Sequence, residues 1–348
     1  MAAPGDRTNR RAGPRWRAML ASLVLAPAML VGCATGEEGP GGASVLAPSM
    51  RAIALARHHV DLALGRHARN LGAGAEILPG AAASVGRACS GSRPSVTWLG
   101  HSSALIHIGG RCLLTDPVLE ANRSVASPLP QRLVEIPLRV EDLPEIDAII
   151  LSHGDFDHLH MPTLRALIRR FPDVEVLVPP GSAGPVALGR LPQVIQSRLG
   201  QALHRHGLTI TAERAHHGTR RNLAALRTGE AFSWVVTDGR TRILFIGDTA
   251  YGPAFKEIFG RHGAIDLLLV PIGAHEPRDL VANDHVNPEE AVQIARDVQA
   301  RLAIGIHWGT FALSPDRPDE AARRFKEAGR GSGVTARVLP IGATVAVP

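Results

Sequence analysis

From Ser95 onward, short apolar runs alternate with breaks that contain Gly, Asp or Ser. TWLG, ALIHI and RCLLTDP read as β-strands separated by His101-Ser102-Ser103 and the Gly109-Gly110 turn, an antiparallel start. IDAIIL is a further buried run, and behind it Met161 to Phe171 places Leu164, Leu167 and Ile168 on one face at helical spacing. VEVLVP, LTITAE, FSWVVT and RILFIGD follow as strands. Asn287 is a good N-cap and Pro288 suits the first helical position. Glu289 and Glu290 oppose the helix dipole, so the pattern predicts a helix over 288–300. Its apolar face is Ala291, Ile294, Ala295 and Val298, and it delivers the chain into the strand RLAIGIHWGT.

The first part of the chain has another texture. Ala18 to Val31 is an apolar run of signal-peptide length behind Arg7, Arg10, Arg11, Arg15 and Arg17, too short for a membrane span. Those five arginines against Asp6 place +4 of the formal +6 in the leader, so the remainder is nearly balanced. With 45% hydrophobic and 20% charged residues and no basic stripe interleaved with aromatics, the composition is globular and excludes nucleic acid as a partner. Residues 34–49 and 71–93 read as Gly-, Ala- and Ser-rich linker, and 50–70 as a helix with Ile53, Ala56, Val60 and Leu64 in an imperfect stripe. Cys89 and Cys112 fit either one disulfide in an oxidising compartment or two buried thiols.

Candidate chemistry concentrates in SHGDFDHLH. His153, Asp155, Asp157 and His158 stand within six residues, directly after a buried strand. Imidazole and carboxylate are the ordinary donors for a divalent metal, and a loop leaving a strand end is where a scaffold presents them. His216 in AHHGTR, Asp248 in FIGDT and His307 in IGIHWGT follow where β-runs break near glycines. Together they propose a two-metal site. No Ser or Cys stands in a nucleophile motif with a base.

In this order the motifs WLGHSSALI, LLTDP, SHGDFDHL, HHGTR, FIGDTAYGPAF, IDLLLVPIGAHEPR, HVNPEEA and IHWGTFAL resemble the metallo-β-lactamase superfamily. Within it they resemble the branch of N-acylphosphatidylethanolamine-hydrolysing phospholipase D and related bacterial lipoproteins. The resemblance implies an α+β fold, an αββα sandwich of two mixed sheets flanked by helices, over residues 94–348. It assigns His153, Asp155 and His216 to one metal, and Asp157, His158 and His307 to the other, with Asp248 bridging and Asp157 and Asp248 as catalytic residues. A ligand four residues before Arg220 selects His216 over its neighbour His217. The family's loop is usually HxHxDH; Asp155 makes it HxDxDH here, which adds a charge and a harder donor. Two divalent metals are implied, zinc first, with manganese or iron more competitive. Asp116 would hold a ligand histidine by hydrogen bond, and His285, His275, Arg278 and Arg220 would face the substrate, with His101 of similar standing.

Leu30-Val31-Gly32-Cys33 resembles a bacterial lipobox. That resemblance implies a signal peptide over 1–32, a lipidated Cys33, and a tether and N-terminal extension over 33–93. It places the chain on the cell envelope, anchored by lipid at the outer membrane or periplasmic face. The expected function is hydrolysis by a hydroxide held between two metals, on a phosphodiester of a small-molecule or lipid substrate. The alternatives are a lactone or other cyclic-ester hydrolase, and a non-catalytic envelope binding lipoprotein.

Overall fold

The runs read as strands pair into two seven-stranded sheets among the described residues. A computed structural model describes residues 74–120, 130–135, 137–182, 193–219, 229–315 and 317–348, with a few positions between 53 and 61. The leader, Cys33, the tether, most of the 50–70 helix and Arg220 lie outside the described residues. The chain divides into two units, Met1–Leu64 and Gly65–Pro348, and the fold below is that of the second.

The first sheet takes β1 (Ser95–Gly100), β2 (Ser103–Ile108), β3 (Arg111–Thr115), β4 (Ala148–Ile150), β5 (Glu175–Val178) and β6 (Val194–Gln196) in chain order. The second takes β7 (Ala202–Arg205), β8 (Leu208–Thr219), β9 (Gly229–Thr237), β10 (Arg242–Phe245), β11 (Leu267–Pro271), β12 (Leu302–Ile306) and β13 (Thr335–Arg337). β14 (Thr344–Ala346) returns to the first sheet beside β1. Each sheet starts antiparallel and then turns parallel, at β3–β4 in the first and β10–β11 in the second. Parallel neighbours need crossovers, and helices supply them. α1 (Ala81–Gly86) precedes the sheets; α2 (Met161–Arg170) joins β4 to β5; α3 (Ala254–His262) joins β10 to β11. The short α4 (Arg278–Val281) and α5 (Pro288–Asp297) precede β12, and α6 (Pro318–Gly329) follows it.

Alternation along the strands divides the apolar residues between two cores. Leu267 and Leu269 face inward with Trp98, Leu114, Ile149, Trp234 and Phe245, filling the space between the sheets. Leu268 and Val270 face outward against Phe255 of α3, Ile294 of α5 and Phe325 of α6. A strand buried on both faces needs the unbroken LLLV run that β11 has. The chain is therefore an α+β sandwich of two mixed sheets flanked by helices.

The expected linker 71–93 needs correcting over its described part. Val85 of α1 is fully buried in the inter-sheet core, Ile77 bridges Ile341, and Cys89 is disulfide-bonded to Cys112 with their Cα atoms 5.8 Å apart. The domain thus begins by residue 74, earlier than 94. Small residues here make close contact instead of flexibility: Ala75 N–H donates to Gly309 O at 2.8 Å.

Candidate metal centre

The parallel strands converge at their carboxyl ends, where open α/β sheets present their ligands. Asp116 follows β3, the His153–His158 loop follows β4, Asp248 follows β10 and His307 follows β12. Two of these turns, and a third nearby, are strained. Asp116 (φ 31°), His307 (φ 62°) and, after β1, His101 (φ 51°) occupy left-handed backbone that non-glycine residues rarely adopt.

Asp116 organises the first half of the site. Its carboxylate is fully buried and accepts from Ser152 N–H at 2.7 Å, Ser152 Oγ–H at 2.5 Å and His158 Nδ1–H at 2.7 Å. Ser152 Oγ in turn accepts from His153 Nδ1–H at 2.9 Å. One carboxylate thereby fixes the ring protons of two histidines and turns both Nε2 lone pairs outward. Gly154 lets the loop pass: a Cβ there would overlap the Ser182 carbonyl oxygen.

The second half arrives one residue at a time. Asp248 Oδ2 lies 3.3 Å from His158 Nε2 and 3.9 Å from His153 Nε2, while its Oδ1 lies 2.9 Å from His307 Nε2. Asp248 therefore stands between two donor sets. On one side His153 Nε2 and His217 Nε2 are each 3.6 Å from Asp155 Oδ2. On the other, His158 Nε2 and His307 Nε2 are 3.3 Å apart and lie 3.8 and 3.9 Å from Asp157 Oδ2.

Most of these separations are too long for hydrogen bonds. They suit a shared ion, since two donors at about 2.1 Å from one tetrahedral metal stand about 3.4 Å apart. The Nε2 atoms of His153 and His217 are buried without a hydrogen-bond partner, an arrangement that costs stability unless a cation meets it. His153, His217 and Asp248 gather closely enough to hold one ion, and Asp157, His158 and His307 gather, together with His101, closely enough to hold another.

Electrostatics fit the same reading. Burial alone would raise the carboxyls of Asp155 and Asp248, but the surrounding imidazoles hold both well below the usual carboxylate range. Asp157 is lowered by His158 and His101 in the same way, against its burial. Burial pushes His101 and His285 down to about 3, so both are neutral at physiological pH. His285 Nδ1 stands 3.7 Å from Asp248 Oδ2, and its ring lies 5.3 Å from that of His217.

His216 is replaced by His217 in this geometry. β8 runs through both residues, and its pairing with β9 shifts register between Arg214 and Gly218. Adjacent strand residues face opposite sides, so only one ring can enter the centre. His217 is the one that enters, its Nδ1–H donating to the Asp284 carbonyl at 3.1 Å. The His216 ring packs instead on Gly252, where a Cβ would lie 2.6 Å from its Nε2.

Arg278 is not open to a phosphate either. Its fork donates to the His285 carbonyl at 2.5 Å and to Glu290 Oε2 at 2.6 Å, so it braces the His285 loop. His275 is buried, with Nε2 accepting from Arg324 Nη1 at 3.1 Å, which directs that nitrogen to α6. The sequence reading left Ser152, the relay to Asp116, without a role, and it ranked His101 with the substrate-side residues, whereas the His101 Nε2 lies 3.1 Å from Asp157 Oδ2.

Two mixed sheets with His and Asp donors at one edge define a class of metal-binding protein. Comparison with known proteins agrees: residues 111–308 match the β-lactamase superfamily domain. An uncharacterised protein of Mycobacterium tuberculosis is 36% identical over 255 residues, 71% of this chain and 67% of that one. An N-acyl-phosphatidylethanolamine-hydrolyzing phospholipase D of Caenorhabditis elegans is 34% identical over 229 residues, covering 62% of this chain and 64% of its own length. Among solved structures, a metallo hydrolase of the archaeon Ignicoccus hospitalis superposes with a TM-score of 0.54 at 21% identity, over 73% of this chain and 98% of that one. The chain belongs to the metallo-β-lactamase superfamily, as one of its metal-dependent hydrolases.

Proposed function

We propose that this hydrolase acts on phosphodiesters that carry an apolar group, in the manner of a phospholipase D on N-acylphosphatidylethanolamine-type lipids, with two divalent cations in the centre. The observation that carries the two-ion reading is Asp248, whose carboxylate reaches both histidine sets at 2.9–3.9 Å. His153, Asp155 and His217 would hold one ion, and Asp157, His158 and His307 the other, with Asp248 common to both. When bound, such a pair lowers the pKa of a water between them and offsets charge on the ester's oxygens.

The residues then have separable tasks. Asp157 and Asp248 would orient the attacking water. A new bond would form between that water's oxygen and phosphorus while the bond from phosphorus to the alcohol oxygen breaks, and the proton that the water loses would end on the departing alcohol oxygen. His285, neutral and beside Asp248, meets the substrate as a hydrogen-bonding group. The resemblance of the C. elegans phospholipase supports the lipid substrate. Zinc is the first expectation, and Asp155 makes manganese or iron more competitive than a third imidazole would.

Bracing of the Arg278 fork favours a second reading, hydrolysis of a lactone or cyclic ester, because it removes one anion-binding group from the substrate side. Metal-replete protein assayed on an N-acyl phosphatidylethanolamine, a chromogenic phosphodiester and a lactone set separates the two. The proposal requires the phosphodiesters to be turned over faster; lactone turnover far above them would replace it.

We further propose that Cys33 is lipidated and holds the chain on the bacterial envelope, at the outer membrane or periplasmic face. The Cys89–Cys112 bond supports export, since such bonds persist in oxidising compartments. No helix among the described residues is long and apolar enough to cross a membrane. Mass spectrometry of the membrane fraction should find an acylated N-terminal Cys33, and a soluble chain with another start would sink the idea.

A further inference from the structure

The site as assigned leaves His101 without a task. It closes the β1–β2 turn with φ 51°, and three bonds keep it in that strained conformation. Its N–H donates to Thr310 Oγ1 at 2.8 Å, and its carbonyl accepts from Trp98 Nε1 and from the His307 N–H, each at 2.9 Å. The ring is buried, with its centroid 4.2 Å from that of His307, 5.1 Å from that of His158 and 4.9 Å from that of Phe311, which it meets edge to face.

The two ring nitrogens have different surroundings. Nδ1 is buried with no hydrogen-bond partner, while Nε2 stands 3.1 Å from Asp157 Oδ2. A neutral imidazole carries one N–H. On Nδ1 that proton would be stranded in the interior; on Nε2 it meets a carboxylate oxygen. A protonated Nε2 has no lone pair to give a metal.

We propose that His101 is a positioning residue and not a ligand. Its Nε2–H donates to Oδ2 of Asp157, so the carboxylate is held in one rotamer with that oxygen, which keeps a second lone pair, turned to the ion that His158 and His307 also hold. The backbone bond from His307 N–H to the His101 carbonyl ties this donor to a ligand on the second sheet, so the β1–β2 turn and the end of β12 place Asp157 and His307 as one unit. The inference rests on the two-ion reading above.

Calorimetric titration of metal-free protein with Zn²⁺ tests it, comparing wild type with His101→Asn and His101→Gln. Asparagine tolerates left-handed backbone, but its amide ends near the place of Nδ1 and falls short of Asp157. Glutamine puts an amide nitrogen near the place of Nε2. His101→Asn should bind one ion as wild type does and the other about 10- to 100-fold more weakly, the usual effect of removing a partner of a ligand. His101→Gln should restore that second affinity to within a few-fold. Wild-type binding of both ions by His101→Asn would overturn the proposal, as would equal loss of both ions in the two variants, which marks a merely structural residue. A second ion bound as weakly by His101→Gln as by His101→Asn would overturn it too, and would indicate direct ligation by the imidazole. Uptake of fewer than two ions by the wild type would instead sink the two-ion reading.

Discussion

The two sheets build their halves of the metal centre by different means. The first sheet gathers its donors on one short loop and locks them with side chains: Asp116 holds His158 directly and His153 through Ser152. The second sheet sends one donor from each of β8, β10 and β12, and aims them with backbone. His217 leans on the Asp284 carbonyl, and His307 sits in a left-handed turn with its backbone N–H on His101 and its Nδ1 buried without a partner. The first half is ordered by its own hydrogen bonds, whereas the second depends more on the ions for its final geometry.

The largest expected effect removes the residue common to both halves. Asp248→Ala should reduce turnover to the uncatalysed baseline and release at least one ion, read by steady-state assay beside elemental analysis. Dialysis against a chelator should do the same to wild type, with Zn²⁺ restoring activity.

Asp116→Asn comes next and probes the first half alone. It turns an acceptor of three donors into a group that must strand at least one of them, costing about 1–3 kcal/mol of stability and about 10- to 100-fold in metal affinity. A thermal melt and a metal titration would show both. If Asp116→Asn weakened binding no more than substitution of a loop-bracing residue such as Arg278→Ala, the side-chain hub would have no special standing.

A comparison of His217→Ala with His216→Ala sharpens the account of the second half. The first should lose an ion and most activity; the second should keep two ions and change stability by about 1 kcal/mol or less. The reverse pattern would return the ligand role to His216.

The smallest effect is one of pH. Glu213 lies on β8 just before the register shift, bonded to His262 and Arg261 of α3, and those bonds outweigh burial to lower its carboxyl from the ordinary 4.5. A carboxyl lowered by folding adds stability above its unfolded value, and that stability is lost as pH falls through its folded value. The melting temperature should therefore drop as pH falls below 4.5, and less steeply in Glu213→Gln; identical acid limbs would exclude Glu213 as a cause.

This contrast also governs what the sequence could show. The His153–His158 donors were legible because they are contiguous and follow an obvious strand. The helix at 288 was legible for a similar reason: Asn287 Oδ1 accepts from the Glu290 N–H at 2.8 Å, and Glu290 Oε2 accepts from the Asn287 N–H at 3.0 Å, as the local pattern predicts. His217 was not legible. The spacing to arginine is degenerate, because His216 precedes Arg220 by four residues and His217 precedes Arg221 by the same four, and the β8 irregularity that decides which ring turns inward leaves no local mark. Arg278 failed as a substrate residue because its partners, Glu290 in the first turn of α5 and the His285 carbonyl just before that helix, reach it only through tertiary packing. Residues 74–93 resembled linker because Ala and Gly suit tight packing and flexible chain equally well.

The claim at the centre of this account is that two cations share Asp248 between a His153–Asp155–His217 set and an Asp157–His158–His307 set. Anomalous scattering from zinc-loaded crystals, recorded on both sides of the zinc edge, tests it directly. The account predicts two peaks about 3.5–4 Å apart, one of them about 2.0–2.1 Å from His217 Nε2 and both in contact with Asp248. A single peak, or a pair in which His216 supplies the nitrogen and Asp155 touches neither ion, would contradict it.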